Sequence, residues 1–322
     1  MKKLVLISFV FITLLACSDT SKIVKVSATG KVNSVLVVLD NDKWQNETGD
    51  VVRDLLAKTL VGFPQEEARF SLTQIDSKNF NRMLKHSRNI ISISFTDKNT
   101  YKVLNDKYAS PQRLIVITAK NNADLVTLLN KHEKDIVKTF NDSDLNTIRT
   151  LILDKVWERD SIKTLKKQKI SIKLPYAYQK VQDTLNYIWF RKDIVEGYLN
   201  LQVYTVKLDS LTAFNKSNII KFRDEKGKQF IPGEKEGMYL ATEAAFTPTQ
   251  YNTMMLGRKT IETRGTWEMK KGFMAGPFLN YALLDKKNNR IVVAEGFVYA
   301  PNISKRDYLF ELEALLKTLE IE

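Results

Sequence analysis

Two glutamates in apolar stretches are the residues of this sequence best suited to acid–base chemistry. In the candidate strand 291–299, alternation places Glu295 in an apolar row, and the opposite row is apolar as well. Glu243 lies in a similar row in the stretch 239–246. An unpaired buried carboxylate is costly, so each needs a partner, and Arg264 in a neighbouring candidate strand is plausible for either. These residues predict either a structural ion pair or an acid–base or ligand-binding pair, as in glycosidases.

Glycines and aromatic residues are concentrated between Arg264 and Phe278. The segment reads Arg264-Gly265-Thr266-Trp267 and then Lys271-Gly272-Phe273-Met274-Ala275-Gly276-Pro277-Phe278. Glycine lets the backbone turn sharply, and aromatic side chains offer ring faces. The segment therefore predicts either a platform for a ligand or partner, with Trp267 and Phe273 as contacts, or a bulged connection whose aromatic side chains pack inside.

Signatures of other chemistries are missing from the sequence. The two histidines, His86 and His132, are far apart and belong to no HExxH motif, and no CxxC pair exists. His132 falls on the apolar stripe of a predicted helix, which favours packing. There is also no GxSxG motif and no glycine-rich phosphate loop. We therefore predict no metal, no cofactor and no catalytic residue; whether the protein is an enzyme stays open, with the balance against.

The first seventeen residues have the pattern of an export signal. Lys2 and Lys3 precede the apolar run 4–16, and Leu14-Leu15-Ala16 leads directly to Cys17, the only cysteine. The run would be roughly 20 Å long as a helix, shorter than the hydrocarbon core of a bilayer. It predicts cleavage before Cys17 and lipid attachment to its thiol; the alternative is an ordinary signal peptide cleaved elsewhere. Three acyl chains would hold the protein on a membrane.

The residues after Cys17 bear on location. Positions 17–30 are small and polar, as in a tether. Ser18 after the cysteine, with no acidic run behind it, resembles Gram-negative sorting patterns, which implies the periplasmic leaflet of the outer membrane. Inner-membrane retention and surface display stay open.

Length and charge restrict the possible partners. Removing 16 of the 322 residues leaves 306, and the loss of Lys2 and Lys3 lowers the formal net charge from +13 to +11. The basic residues are scattered, which is typical of a solvated surface, although weak attraction to an anionic leaflet is an alternative. We expect no nucleic-acid partner. The oligomeric state does not follow from the sequence.

Residues 31–169 predict a mixed α/β layer that ends in two long helices. Strands are expected at 32–39, 70–75, 90–95 and 114–118, and helices between them at 51–60, 80–84 and 101–108. Alternating strands and helices favour parallel pairing. Thr48 is expected to cap the first helix. The two long helices are expected at 125–140 and 145–165, with a break at Asn141-Asp142-Ser143.

Residues 170–322 predict an α+β domain, an antiparallel sheet covered by helices. Strands are expected at 170–174, 187–190, 199–206, 239–246, 259–269, 278–284 and 290–299. A polar hairpin turn is expected at 285–289 and a helix at 211–224. A last helix, capped by Ser304, has the apolar stripe Tyr308, Leu312, Leu315, Leu316 and Leu319.

Several of these segments resemble one family. The Leu14–Cys17 lipobox, the segments 264–267 and 273–278 and the stretch 285–301 resemble an uncharacterised lipoprotein family of Bacteroidota, known only as a domain of unknown function. The resemblance covers the chain from about Gly30 to the C-terminus. It implies an envelope lipoprotein and supplies no catalytic residue. The order of elements in the C-terminal half also resembles PsbP/Mog1-like domains, an analogy of fold that implies no chemistry.

Together these patterns predict a signal peptide at 1–16, a lipidated tether at 17–30 and domains at 31–169 and 170–322. The leading functional hypothesis is a non-catalytic binding or scaffold module of the cell envelope, which binds a protein or glycan partner. The candidate site comprises Arg264, Trp267, Phe273, Glu243 and Glu295. One alternative is an envelope hydrolase acting on glycan or peptide. Another is a carrier of a lipid or small apolar ligand, which requires a deep apolar cavity.

Overall fold

The first five strands form one sheet. The computed structural model describes residues 25–322, so the predicted signal peptide and Cys17 lie outside the described residues. The strands are β1 (Ser34–Val38), β2 (Ser71–Ile75), β3 (Asn89–Phe95), β4 (Thr100–Asn105) and β5 (Arg113–Ala119). Their order is β2-β1-β3-β5-β4; β4 runs antiparallel to β5, and the other pairs are parallel. The predicted α/β layer with parallel pairing is confirmed.

Helices cover one face of this first sheet. They are α1 (Asn41–Trp44), α2 (Glu47–Leu56) and α3 (Asn122–Ile152). The buried Val37, Ile91 and Ile115 pack in one cluster with side chains of α2 and α3. Each such side chain removed from water contributes about 1.5–3 kcal/mol, so this apolar face holds the helices on the sheet.

The prediction of two separate long helices at 125–140 and 145–165 was wrong. A single helix of 31 residues, α3, runs through Asn141-Asp142-Ser143 without a break and ends at Ile152. Within this segment Asp142 pairs with Lys138 one turn earlier, and the residue after the segment is anchored to the rest of the fold. The buried Asp144 accepts hydrogen bonds from the backbone N–H of Asn33 and from the amide of Asn89, at 2.8 and 2.9 Å.

The helix expected at 101–108 is also wrong, because this segment contains strand β4. Its backbone pairs with β5 over six residues, from Thr100 opposite Thr118 to Asn105 opposite Arg113. The ring of Tyr101 stacks on His132 of α3, with 3.9 Å between ring centroids. Tertiary pairing therefore outweighs the local pattern.

The C-terminal half contains an eight-stranded antiparallel sheet. Its strands are β7 (Gln179–Asp183), β8 (Tyr187–Ile194), β9 (Gly197–Lys207), β10 (Tyr239–Thr242), β11 (Thr249–Met255), β12 (Arg258–Lys270), β13 (Ala275–Asp285) and β14 (Arg290–Tyr299). The order is β10-β12-β13-β14-β9-β8-β7, with β11 pairing the first part of β12. The short strands β6 (Ile170–Ser171) and β15 (Glu320–Ile321) pair separately. The predicted antiparallel sheet is confirmed, although β7 and β11 were not expected.

Helices lie on both faces of this second sheet. They are α4 (Lys163–Gln168), α5 (Lys216–Phe230) and α6 (Arg306–Leu316). Val292 and Ala294 of β14 pack in the cluster that contains the apolar stripe of α6. Ile291 and Val293 face the other way, towards Ile219 of α5. The prediction that β14 is covered on both faces is confirmed.

Three expectations about helix ends were wrong. The N-cap of α2 is Asn46, whose side chain accepts from the N–H of Thr48. Helix α5 begins five residues later than expected, at Lys216. The first turn of α6 is capped by Glu67, which accepts from the N–H groups of Lys305 and Arg306 at 2.7 and 2.8 Å. A negatively charged group near the N-terminus of a helix stabilises the helix.

Candidate functional site

One face of the second sheet is only partly covered by a helix. Helix α5 lies across it and ends at Phe230, whose ring stacks on Tyr187 with 4.0 Å between centroids. Beyond Phe230 the chain turns away at Ile231 and returns as β10. A groove of about 650 Å³ opens there on the uncovered end of the sheet.

Aromatic and methionine side chains dominate this aromatic groove. Its floor comes from strands of the sheet, and its walls come from the loop after α5 and the turn between β12 and β13. The aromatic and methionine side chains that line it are Trp189, Tyr198, Met238, Trp267, Met269, Phe273, Met274, Phe297 and Tyr299. The charged and amide side chains of the lining are Arg191, Asn200, Glu234, Lys235 and Lys271.

Hydrogen bonds fix two tryptophans of the floor. The indole N–H of Trp267 donates to the backbone carbonyl of Val298 at 3.0 Å, and only 2% of Trp267 is exposed. The indole N–H of Trp189 donates to Oδ1 of Asn200, also at 3.0 Å. Rings held in this way need little ordering when a partner binds, so the floor is preformed.

A second pair of rings borders the groove at the ends of β9 and β14. Tyr198 and Tyr299 stack with 6.2 Å between centroids, and the guanidinium of Arg191 lies 4.6 Å from the centre of the Tyr198 ring. The close packing of the β8–β9 turn requires a glycine here. A Cβ on Gly197, at a φ of +142°, would lie 1.9 Å from the carbonyl oxygen of Tyr299.

The turn between β12 and β13 carries Phe273 into solvent. Its exposure is 108% of the reference value, and Val195 at the tip of the β8–β9 hairpin is 100% exposed. Both hairpins lie at the same end of the sheet, on either side of the groove. Phe273 extends the apolar surface of the groove, and contiguous exposed apolar patches mark interaction sites.

The structure brings two of the five predicted site residues together. Trp267 and Phe273 both line the aromatic groove. Arg264 lies on the opposite face of β12, where it binds Glu262 and Glu313 at 2.7 and 2.9 Å. The expectation that Arg264 pairs with Glu295 or Glu243 was therefore wrong.

Glu243 and Glu295 do not form a pair of carboxylates in an open cleft. Glu243 accepts a hydrogen bond from the N–H of Ala245 within its own turn. Glu295 is fully buried and pairs with Arg223 of α5, with 3.0 Å between Oε1 and Nη2. The prediction of a buried ion pair at Glu295 is correct in kind, and its partner is Arg223.

Glu295 belongs to a row of polar side chains that crosses the sheet beneath α5. We call Thr263, Asn280, Glu295 and Gln202, which oppose one another on β12, β13, β14 and β9, the buried polar row. All four are fully buried. Asn280 donates to Glu295 at 2.8 Å. On the next strand, β8, the residue opposite Gln202 is Trp189, which lines the aromatic groove. The buried polar row is therefore adjacent to the groove.

Two tyrosines lie beside this row. Burial raises the pKa of Tyr187 and Tyr204 above the ordinary value for a phenol, and the charge of Glu295 raises it further. Both phenols therefore stay protonated at physiological pH. In the part of the chain that the structure describes, neither hydroxyl has a hydrogen-bond partner.

Sequence reasoning missed several residues of the groove. Trp189 lies on the predicted strand 187–190, and Tyr198 directly precedes the predicted strand 199–206. Nothing local indicates which face of these strands stays uncovered. Arg223 was missed as the partner of Glu295 because it comes from a helix 72 residues earlier in the chain.

Two general properties concern residues 25–322 alone. No cluster of three or more His, Cys, Asp or Glu side chains arranged to hold a metal ion occurs among them. None of the helices within this range is both long and apolar enough to cross a membrane.

Two protein families match parts of the chain. Residues 158–318, which are 161 of its 322, match the family described as "Domain of unknown function (DUF4837)", and the chain belongs to this family. Residues 28–152 match a second family, described as "Domain of unknown function (DUF8532)". Membership in a family of unknown function is thus confirmed. The bacterial group and the lipid anchor stay predictions. No curated protein matches the chain.

Solved structures offer only distant likenesses. The Saccharomyces cerevisiae Ran-binding protein Mog1p has 9% identity and a TM-score of 0.32, covering 47% of this chain and 89% of its own. LpqN of Mycobacterium tuberculosis, involved in cell envelope biogenesis, has 9% identity and a TM-score of 0.29, covering 46% and 79%. A chain from Bacteroides thetaiotaomicron has 14% identity and a TM-score of 0.22, covering 48% and 45%. Likenesses this weak carry no argument.

Proposed function

We propose that this protein is a non-catalytic binding module of the cell envelope, and that it binds a protein partner at the aromatic groove. The observation that carries this proposal is the composition of the groove. Trp, Tyr, Phe, Met and Arg are the residue types enriched at the centres of protein interfaces, and they form most of this lining. Carbohydrate chains and lipids are the other occupants that the experiment below distinguishes.

The exposed hairpin tips support a macromolecular partner. Phe273 and Val195 lie on opposite sides of the groove, and each exposes its whole side chain. A small ligand enclosed between the walls would have no use for these two tips. A partner chain seated across the groove would bury both of them, and burial of a phenylalanine contributes about 1.5–3 kcal/mol.

The polar contacts of the groove suit a peptide. Asn200 holds the indole of Trp189 and has an amide that can pair with a backbone, and Arg191 and Lys271 can donate to carbonyl or carboxylate oxygens. Methionine side chains adapt to differently shaped apolar partners, which favours Met238 and Met274 as contacts.

The alternative of an envelope hydrolase has no support in the positions of its residues. Glu295 is sealed beneath α5 by Arg223, Glu243 binds its own turn, and Arg264 lies on the other face of the sheet. A glycosidase needs two carboxyl groups that flank a substrate within about 5–9.5 Å of each other. These residues cannot do so in this arrangement.

The membrane anchor is part of the same proposal. Cleavage before Cys17 and acylation of its thiol would tether the folded body by the residues that precede Lys25. The eight residues 17–24 span at most about 28 Å, so the folded body would begin within that distance of the lipid leaflet. Cys17→Ala is expected to move the protein from the membrane fraction to the soluble fraction. Membrane retention of this variant, or an unacylated mature N-terminus by mass spectrometry, would contradict the anchor.

Site-specific crosslinking tests the groove. A photoreactive benzoylphenylalanine is placed at Phe273, at Val195 and, as a control, at Phe246, an exposed phenylalanine (62%) that does not line the groove. We expect the same protein to be captured from the first two positions and not from the third. Capture of glycan or lipid alone from Phe273 and Val195 would contradict a protein partner.

Direct binding then decides. With the captured protein purified, Phe273→Ser is expected to weaken binding about tenfold or more, as for an interface hot spot. Phe246→Ser makes the same chemical change at the control position and should leave the affinity unchanged. Because the side chain of Phe273 is fully exposed in the structure of residues 25–322, its replacement does not threaten folding. Equal affinity of the two variants would overturn the proposal.

A further inference from the structure

A second recess lies on the other face of the β12 strand, between the two sheets. The loop that follows α2 crosses the backbone of β12 at Gly62, whose φ is +82°. A Cβ on Gly62 would lie 2.8 Å from the backbone nitrogen of Gly265, so the loop and β12 are in direct backbone contact at this point. Beside this crossing is a recess of about 380 Å³, bordered by the loop, β12, α3 and α6. It is separated from the aromatic groove by the sheet.

Four cationic side chains border this recess, which we call the cationic cleft. They are Lys58 and Arg69 from the first half of the chain and Arg264 and Arg306 from the second. One acidic residue, Glu313, is also in the lining. Cations from both halves therefore converge on one space.

Each of the three guanidinium groups keeps donors for a further acceptor. Arg264 uses Nε for Glu262 and Nη2 for Glu313. Arg306 uses Nε for Asp307 and Nη1 for Ala68 and Ser71. Within residues 25–322, Nη1 of Arg264 and Nη2 of Arg306 donate to no protein atom.

Arg69 is the least neutralised of the three guanidinium groups. Its Nη1 donates to the carbonyl of Leu55 at 3.3 Å, and the carboxylate of Glu133 lies 4.0 Å away, at the limit of an ion pair. Burial lowers the pKa of this guanidinium, although the charge of Glu133 opposes the effect. Because Glu133 lies 4.0 Å away and the Arg69 side chain is only 22% exposed, a bound anion would supply a closer counter-charge.

The rest of the lining is mixed, with the polar side chains of Asn33, Thr59, Asn141 and Tyr251 beside apolar ones. Phe63 and Phe310 border it together with Leu309. Guanidinium groups bind phosphate through paired hydrogen bonds, more strongly than uncharged donors do. The volume exceeds that of one phosphate and leaves space for an organic group against the aromatic walls. We propose that the cationic cleft binds the phosphate of an organic phosphate ester, with Lys58, Arg69 and Arg306 as its principal contacts.

The proposal is tested on the mature protein in a neutral detergent. Inorganic phosphate and glycerol phosphate are titrated by calorimetry at constant ionic strength, with sodium chloride as the reference. We expect binding of both phosphates, and a loss of about tenfold or more in affinity for Arg69→Gln, since one charge-assisted contact is removed. Lys58→Gln should weaken binding in the same direction, and because Lys58 is exposed, this variant folds even if Arg69→Gln does not.

A matched control separates the cleft from general charge. Arg159→Gln removes a guanidinium of 36% exposure that pairs with Glu322 and does not line the cleft. This variant should bind phosphate like the wild type. Phosphate binding no stronger than chloride, or equal binding by Lys58→Gln and wild type, would overturn the proposal.

A further arm identifies the source of the phosphate. A short-chain phosphatidic acid, below the concentration at which it aggregates, is compared with glycerol phosphate, which has the same phosphate ester without acyl chains. Tighter binding of the lipid would indicate a lipid headgroup, with the chains against Phe63 and Phe310. Equal binding would indicate a soluble phosphate ester. Either result supports the cleft as a phosphate site, and neither depends on what occupies the aromatic groove.

Discussion

Arg223 of α5 and Glu295 of β14 form an ion pair in which both side chains are fully buried, with 3.0 Å between Nη2 and Oε1. Nε of Arg223 donates to both carboxylate oxygens at 3.1 Å, and the guanidinium lies 3.8 Å from the centre of the Phe278 ring. The pair thus attaches α5 to the centre of the sheet. It also sets where α5 lies, and therefore where the uncovered groove begins.

Breaking this pair should be far more harmful than removing it as a whole. Glu295→Ala leaves the buried Arg223 with only the partly exposed carboxylate of Asp224, 3.4 Å from Nη1, and we expect a loss of about 3 kcal/mol in the free energy of unfolding. The double variant Arg223→Met, Glu295→Leu removes both charges, and it should recover most of that loss. Urea denaturation measures both. Glu243→Ala, at a glutamate that binds only its own turn, is the control. A Glu295→Ala effect as small as that of the control would contradict the assignment.

Gln202 and Gln112 offer a matched pair of buried amides with opposite expectations. Gln112 donates to the carbonyls of Lys85 and Ser87 and accepts from Tyr108. Neither the oxygen nor the nitrogen of the Gln202 amide has a partner among the described residues. Leaving a buried amide unpaired costs about 1–3 kcal/mol.

Gln202→Met should therefore increase the free energy of unfolding by about 1 kcal/mol, while Gln112→Met should lower it by about 1–3 kcal/mol. The measurement is chemical denaturation of the two variants and the wild type under the same conditions. If both variants lose stability to a similar extent, the amide of Gln202 is satisfied in solution, and the buried polar row must be described with further partners.

The pattern of β14 shows how far the sequence determines the site. Strict alternation put Glu295 in a row with Ile291 and Val293, and apolar residues on both faces predicted a strand covered on each side; both predictions are confirmed. The partner of Glu295 was not predictable in the same way. Arg264 is nearer in the chain, but its side chain points to the opposite face of β12. Which residues of two strands share a face depends on how the strands are aligned, and the sequence does not give that alignment.

Helix α3 and strand β4 show where local sequence patterns fail to predict the secondary structure. Asn141-Asp142-Ser143 is a typical helix break, yet α3 continues through it, and the next residue, Asp144, binds Asn33 and Asn89, which are distant in sequence. Tyr101 to Tyr108 had a helical pattern, yet β4 forms, because β5 offers a free edge. In both cases a residue distant in sequence decides the local structure. The groove has the same origin, since only the end of α5 at Phe230 determines which aromatic residues stay uncovered.

Glu313 should stabilise the fold at neutral pH and lose this effect in acid. Burial opposes its ionisation, but the charges of Arg264 and Lys317 outweigh burial and lower the pKa of Glu313 to about 2. The unfolded chain binds a proton near pH 4.5, so the stabilisation is present above that pH and is lost as the pH falls towards 2. The contribution is about 3 kcal/mol.

Glu313→Gln tests this at two pH values. The variant should be less stable than wild type by about 3 kcal/mol at pH 6, and the difference should shrink as the pH falls from 4.5 to 2.5. Thermal or urea unfolding measures it. Glu320→Gln, at an exposed glutamate, serves as the control. A difference between Glu313→Gln and wild type that stays constant with pH would contradict the assigned pKa.

Asp144 should have the opposite dependence on pH. Burial raises its pKa to about 6, although hydrogen bonds from Asn33 and Asn89 and the charge of Arg88 oppose the shift. Its folded-state pKa thus exceeds the value of about 3.9 in an unfolded chain, so the stabilisation from its proton is complete below pH 4 and is lost as the pH rises through 6. Asp144→Asn, which cannot ionise, should gain about 3 kcal/mol relative to wild type between pH 4 and pH 7. Urea denaturation at one-unit intervals of pH measures the difference, with Asp142→Asn, an exposed neighbour on the same helix, as the control. Parallel pH profiles of Asp144→Asn and wild type would show that the carboxyl group of Asp144 is ionised throughout this range.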